Sequence, residues 1–234
     1  MTAPRTNRTP PDFMTAQDLR TRLADAAQAL ALGLTETQLD QLIAYLDLIA
    51  KWNKVYNLTA VRDPQAMLTQ HLVDSLSLIP PLRRHRREQH ADQPLRLMDV
   101  GSGGGLPGVV IAICEPEIDV SCVDAVGKKA FFIAQVAAEL GLRNLHGLHS
   151  RVEQLKVPPF DLITSRAFAS LADFTEWTRM HLKPGAVWAA MKGQHPDDEL
   201  AELAQRAPDL QVFHVEQLQV PGLDAQRCLI WIRP

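Results

Sequence analysis

A chain of 234 residues with 46% hydrophobic and 22% charged side chains can bury one substantial core plus a small appendage, and no run approaches the roughly 20 apolar residues of a membrane span. A net charge of −3 and a pI near 6.2 exclude a protein that coats nucleic acid through bulk charge. Three cysteines, Cys114, Cys122 and Cys228, lie in apolar segments without metal-ligand spacing and read as buried free thiols of a reducing cytoplasm.

The opening residues, MTAPRTNRTPPDF, have no apolar stretch of the kind a secretory signal carries. With Pro4, Pro10 and Pro11 and little to bury, residues 1–14 are expected to form a disordered tail, its Arg5 and Arg8 solvated rather than bound to RNA. A helix over 15–32 closes at Gly33. Thr35 and Gln38 then form a capping box that opens a second helix, with Leu39, Leu42, Ile43, Leu46 and Ile49 on one face. That helix runs into residues 51–59, where polar, aromatic and basic side chains crowd together. Trp52 and Tyr56 stand one turn apart, and core packing is the preferred reading over stacking on bases.

Asp63 and Pro64 start a third helix to about Ile79, carrying Met67, Leu68, Leu72 and Leu76 inward. His71 and Asp74 on that helix are expected to share a structural hydrogen bond. Residues 83–87 place four arginines in five positions, for which a solvated linker and a phosphate contact weigh equally. Residues 1–90 hold eleven Lys and Arg against nine Asp and Glu, so a polyanion would meet this part first. The expected organisation is a tail (1–14), a helical N-terminal region (15–90) and an α/β domain (91–234).

The most informative stretch is 95–124, LRLMDVGSGGGLPGVVIAICEPEIDVSCVD. It reads as a buried strand (95–100), a glycine turn (101–105), a short apolar helix from about Leu106 and a second strand (118–123) ending in Asp124. Glycines at the end of the first strand let backbone approach a ligand closely, and the acid ending the second is placed to hold ribose hydroxyls. Residues 103–108 match the dinucleotide pattern GxGxxG, a weak signal alone. Pro107 lies at the helix start, where it removes an amide that a pyrophosphate would use. Asp99, just before the first glycine, can accept from a cofactor's ammonium group or from the turn's own amides. S-adenosylmethionine, with an amino-acid tail and no phosphate, suits this pattern better than a nicotinamide.

Beyond Asp124 the alternation continues: a helix over 128–140 closed near Gly141, a strand near 144–148, a strand over 160–165, a helix over 171–182 and a strand over 186–191. Segments 210–220 and 227–232 read as an antiparallel hairpin at the sheet edge, turned by Pro221 and Gly222. The result is the seven-stranded, Rossmann-like layout of a class I methyltransferase. Ligands in such a sheet bind at the carboxyl ends of the strands. The candidates are therefore 101–106, Asp124, 151–153, 165–168 and Lys192, converging from separate parts of the chain.

Methyl transfer is an in-line displacement at a sulfonium carbon, needing a base only when the acceptor must lose a proton. The fourth strand is followed by Ser165-Arg166-Ala167-Phe168 rather than an Asn/Asp-Pro-Pro-aromatic segment, and no cysteine follows a proline at a strand end. An acceptor already nucleophilic at neutral pH, such as N7 of guanine, fits. Arg166 as a salt bridge orienting the crevice loops is as good a reading as direct substrate contact.

Residues 51–62 (KWNKVYNLTAVR), 71–76 (HLVDSL), 99–108 (DVGSGGGLPG), 151–153 (RVE) and 165–171 (SRAFASL) together resemble the bacterial 16S ribosomal RNA guanine-N7 methyltransferase family, also called small-subunit methyltransferase G or glucose-inhibited division protein B. The resemblance runs from about Leu39 to the carboxyl terminus. It implies S-adenosylmethionine as donor and N7-methylation of one guanine in the decoding region of the small subunit. By motif position it carries cofactor contacts to Gly101, Leu106, Val152, Glu153 and Arg166; Gly103 and Asp124 follow from the glycine-loop and strand-end arguments. It implies 16S RNA or the small subunit as partner; the mechanism needs no catalytic base, and the sequence itself leads one to expect no metal, no membrane association and, with no heptad repeat or long exposed apolar stripe, a monomer. Ala125 stands where the family pattern leads one to expect serine after the acid. The alternatives are a class I methyltransferase acting on a small molecule or protein, a non-catalytic ribosome-binding factor, and a nicotinamide oxidoreductase.

Overall fold

The computed structural model describes residues 15–89 and 93–234, so the tail 1–14 and the expected boundary at 90/91 lie outside the described residues. Seven strands form one sheet: β1 (Leu95–Val100), β2 (Ile118–Asp124), β3 (Leu145–His149), β4 (Phe160–Arg166), β5 (Leu182–Lys192), β6 (Gln211–Gln217) and β7 (Cys228–Arg233). Their order is β3-β2-β1-β4-β5-β7-β6, with β7 antiparallel to both neighbours and the remaining pairs parallel. β1 is buried on both faces at every position but the half-exposed Arg96, as a central parallel strand must be when helices cover both sides. The direction of winding reverses between β1 and β4. This is the switch point at which a crevice opens beyond the carboxyl ends of the strands.

One face of the sheet is covered by α6 (Gly108–Cys114), α7 (Gly127–Leu140) and the leading helices α1 (Ala16–Ala29) and α2 (Glu36–Tyr56), which share a continuous apolar cluster with Leu97, Val120 and Leu162. The other face is covered by α8 (Leu171–Thr178) and α9 (Asp197–Arg206) over Met98, Ile163 and Trp188. Both capping boxes are formed, Thr15 with Asp18 and Thr35 with Gln38, each satisfying otherwise orphaned amides for about 1 kcal/mol. Gln38 also reaches the carbonyls of Ile113 and Cys114, fixing the start of α2 against α6.

Several expectations shift. The first helix ends at Ala29 rather than near Leu32: Leu32 N–H bonds the Ala27 carbonyl and Ala31 N–H that of Gln28. The left-handed residue of this termination is Ala31 (φ 53°), with Gly33 (φ 59°) in the loop beyond. The third helix is not one α-helix. It runs α3 (Pro64–Met67), a π turn (Leu68–Val73) and α4 (Asp74–Leu76).

Residues 83–87 are not a linker but part of α5 (Ile79–Gln89), and three of their four arginines are committed to partners within the protein. Arg83 donates to Glu115 (2.6 Å) and to the Leu32 carbonyl (2.6 Å), Arg84 to both oxygens of Glu216 (2.6 and 2.8 Å), and Arg86 to Glu117 (2.6 Å). These ties join the helical region to the loop between α6 and β2 and to β6 at one edge of the sheet. Burial of Glu115 pushes its carboxyl pKa up, and the adjoining Arg83 guanidinium partly offsets this. The three cysteines are free and buried, and burial pushes the Cys114 thiol up to about 12.

Candidate active site

The crevice is floored by the turn after β1. Gly101 and Gly103 have left-handed φ of 66° and 58°, and the turn is clamped from three sides. Tyr45, fully buried on α2, donates to the Gly104 carbonyl (2.6 Å). Asp124 accepts from Gly103 N–H (3.0 Å) and Val126 N–H (2.8 Å), which binds the loops after β1 and β2 together. Asp99 accepts from Gly108 N–H (2.8 Å), the first amide of α6. Its partner in the protein is thus a helix amide, and not one of the turn's own amides as expected. Complete burial pushes the Asp99 carboxyl up to about 7, against the lowering effect of that amide bond and of Arg166.

Two cavities meet at Gly101. The first, about 480 Å³, is lined by Gly101, Gly103, Leu106 and Arg166 together with Thr59, His71, Asp74, Lys192 and Arg227. The second, about 250 Å³, is lined by Gly101, Asp124, Arg151, Val152, Glu153, Phe168 and Trp177. All seven expected cofactor residues, Gly101, Gly103, Leu106, Asp124, Val152, Glu153 and Arg166, thus border one crevice in two compartments. Phe168 borders the second cavity, where its ring occupies the space a Cβ on Gly101 would need and meets Trp177 edge-on at 5.9 Å. Ala167, which turns the chain into this position, adopts φ 53°.

Asp74 organises the first cavity. Its Oδ2 accepts from Arg166 Nη1 (2.7 Å) and its Oδ1 from Arg227 Nε (2.7 Å), while Arg166 also bonds the Gln70 carbonyl (2.9 Å) in the π turn. The expected His71–Asp74 hydrogen bond does not form, because both carboxylate oxygens are taken by guanidinium groups. His71 Nε2 instead meets Thr59 Oγ1 at 2.9 Å, and burial, aided by Arg166, lowers its pKa so that the ring is neutral at pH 7. Lys192 at the end of β5 bonds the Ala169 carbonyl (2.9 Å) and Glu199 (2.7 Å), and Glu199 also accepts from Leu171 N–H (2.8 Å). This fixes the loop that carries Phe168.

Sequence reasoning missed Arg227, Trp177, Glu199 and the role of Tyr45. Tyr45 and Arg227 act on partners 59 and 153 residues away, which nothing local marks, while Trp177 and Glu199 matter through contacts with the Phe168 loop that only the fold creates. Helix α9 itself was signalled by three acids in its first turn and by Leu200 and Leu203 on one side, and went unread.

This strand order, with an antiparallel final hairpin and a glycine turn facing an acid at the end of β2, is the fold of class I S-adenosylmethionine-dependent methyltransferases. Solved structures share it at low identity: a SAM dependent methyltransferase from Aquifex aeolicus (TM-score 0.54, 17% identity, 75% of this chain and 96% of that one) and a ribosomal protein L11 methylase from Lactobacillus delbrueckii subsp. bulgaricus (TM-score 0.50, 16% identity, 73% and 79%). A family model described as rRNA small subunit methyltransferase G, GidB, matches residues 38–230. The chain is 62% identical over 216 residues to the Ribosomal RNA small subunit methyltransferase G of Acidovorax sp. (strain JS42), covering 91% of this chain and 94% of that protein. It is 56% identical over 230 residues to the protein of the same name in Verminephrobacter eiseniae (strain EF01-2), covering 92% and 95%. The chain belongs to the rRNA small subunit methyltransferase G family.

Proposed function

We propose that the protein transfers a methyl group from S-adenosylmethionine to N7 of one guanine in the decoding region of 16S ribosomal RNA. The observation that carries this reading is the pair of compartments joined at Gly101, bordered by loops from separate strands. Asp124 is the acid for the ribose hydroxyls, Val152 and Glu153 flank the adenine, and Gly101, Gly103 and Leu106 admit the donor's amino-acid half. Two observations fit such a donor. The turn holds open, left-handed glycines, with nothing within 4 Å of a Cβ on Gly103, and a buried oxygen of Asp99 and the hydroxyl of Ser102 have no hydrogen-bond partner in the protein.

When bound, the donor supplies an electrophilic methyl carbon on sulfonium. The chain's own part is alignment and charge. Asp74, the one carboxylate lining the first cavity among the described residues, is held by two guanidinium groups, and Asp99 is sealed below the turn. N7 of guanine carries a lone pair and no proton, so this arrangement is sufficient for it. Arg166 both fixes the π turn and borders the cavity, so it positions the acceptor side of the crevice.

Among the described residues no helix is long and apolar enough to cross a membrane. The protein works in the cytoplasm as a monomer, with 16S RNA or the small subunit as partner. Calorimetry with S-adenosylmethionine and a labelled-methyl assay on unmodified 16S RNA test the reading. Asp124→Ala weakens donor binding and Arg166→Ala lowers methylation; wild-type donor affinity in the Asp124 variant would contradict the ribose assignment.

A further inference from the structure

Seven large apolar side chains are exposed among the described residues, and four of them, Val55, Tyr56, Val126 and Phe131, lie where the end of α2 meets the start of α7. Their exposures are 71%, 38%, 40% and 60%. The rings are held from beneath. Trp52, half buried, has its ring centroid 5.1 Å from Tyr56, 5.9 Å from Phe131 and, on its inner side, 5.2 Å from the fully buried Phe132. Rings fixed in this way present an aromatic surface that loses little freedom on binding.

Around this surface lie exposed Lys51, Lys54 and Lys128, none of which makes an ion pair among the described residues. Neither residues 48–62 nor residues 125–138 contain an Asp or Glu. Helix α7 opens with Gly127, Lys128 and Lys129, has no acid in its first turn, and its N-cap, Val126, supplies no side-chain hydrogen bond. Cations at that end oppose the helix dipole and disfavour the helix. Lys129 is compensated by Asp124 at 3.6 Å; Lys128 is not. A local rule broken without a structural gain is the mark of a working position.

The location connects the patch to the site. Ile49 on α2 and Leu58 and Thr59 just beyond it line the first cavity, and Ala125, next to Val126, lines the second. We propose that Tyr56 and Phe131 form a stacking platform for single-stranded RNA flanking the acceptor base, with Lys51, Lys54 and Lys128 on its phosphates. This surface rests on the RNA acceptor proposed above. Aromatic faces interleaved with unpaired lysines match single-stranded nucleic acid, which offers stacking faces and phosphates together. A partner protein's apolar patch would leave the lysines without a role.

The test uses the full chain and unmodified, protein-free small-subunit RNA, with direct binding by fluorescence anisotropy and steady-state methylation. Phe131→Ala and Tyr56→Ala each raise the RNA Kd and KM by about 5- to 100-fold, the range for loss of one stacked base. kcat at saturating RNA and the affinity for S-adenosylmethionine stay within twofold of wild type, and Phe131→Tyr restores binding. The triple variant Lys51→Gln, Lys54→Gln, Lys128→Gln lowers the slope of log Kd against log salt by about 2. RNA Kd and KM within twofold of wild type in both alanine variants would overturn the proposal. So would a loss confined to assembled subunits with naked RNA unaffected, since the occupant would then be a ribosomal protein. RNA bound in a Phe131-dependent way but never methylated would support this surface while rejecting the methyl-transfer reading.

Discussion

Arg166 at the end of β4 donates a 2.7 Å hydrogen bond to Asp74 at the end of the π turn, and Arg227, before β7, donates to the other oxygen of the same carboxylate. Three positions distant in sequence thus meet at a side chain only 3% exposed, and the first cavity takes its shape from them. Asp74→Ala leaves two guanidinium groups facing one another without a counter-charge. The expected loss is about 3 kcal/mol, the low end for breaking a buried ion pair, because the arginines keep 19% and 25% exposure. Urea unfolding checks this. In a double-mutant cycle Asp74→Ala and Arg227→Gln are not additive.

Asp99 gives a pH dependence of definite sign. Its folded pKa, near 7, lies above the ordinary value of 3.8, so the native state holds the proton more tightly than the unfolded chain. The group's contribution is therefore fully present below about pH 4, is lost as pH rises toward 7, and is constant above that. Relative to Asp99→Asn, the wild type becomes less stable between pH 5 and pH 7, and the difference then levels off. Thermal unfolding of both proteins across pH 5–9 measures it; a difference independent of pH would sink this account of Asp99.

Gly101→Ala places a Cβ in the space of the Phe168 ring at a left-handed φ of 66°. The ring or the turn has to shift, and both compartments border this point. Donor affinity falls by at least tenfold, equivalent to about 1.4 kcal/mol or more. Gly103→Ala at the similar φ of 58°, with nothing within 4 Å, carries backbone strain alone and loses less. Calorimetric titration of both variants with S-adenosylmethionine ranks them.

Ala31 holds a left-handed conformation that glycine adopts freely. Ala31→Gly relieves about 1–2 kcal/mol of strain against some added freedom of the unfolded chain, for a net gain of roughly 0.5–1 kcal/mol. The midpoint of thermal unfolding rises by a few degrees while methylation is unchanged.

What could be read in the sequence follows from the range of the interactions. Strand β1, the glycine turn, Asp124 and the Thr35–Gln38 capping box were legible because apolar runs, left-handed glycines and caps are local events; the Thr15–Asp18 box went unread. The class I sheet followed from their alternation. Three of the four arginines of 83–87, Arg83, Arg84 and Arg86, were misread because their carboxylate partners Glu115, Glu117 and Glu216 lie on other elements, so composition alone presents them as free charge. His71 and Asp74 were paired by spacing, a rule that holds on an isolated helix. Here the helix carries a π turn, and two arginines, one at the end of β4 and one just before β7, claim the acid. The place of Phe168 against Gly101 was not legible, because it depends on Gly101 and Ala167, both in left-handed backbone.

The central claim is that one guanine N7 receives the methyl group within this crevice. N7-methylguanosine is cleavable by borohydride reduction and aniline, so primer extension after that treatment locates it. Small-subunit RNA lacking the modification, incubated with the purified protein and S-adenosylmethionine, should yield one new donor-dependent stop at a single guanine of the decoding region, and Gly101→Ala should abolish it. No new stop, or labelled methyl recovered in protein or small molecules instead, would contradict the account.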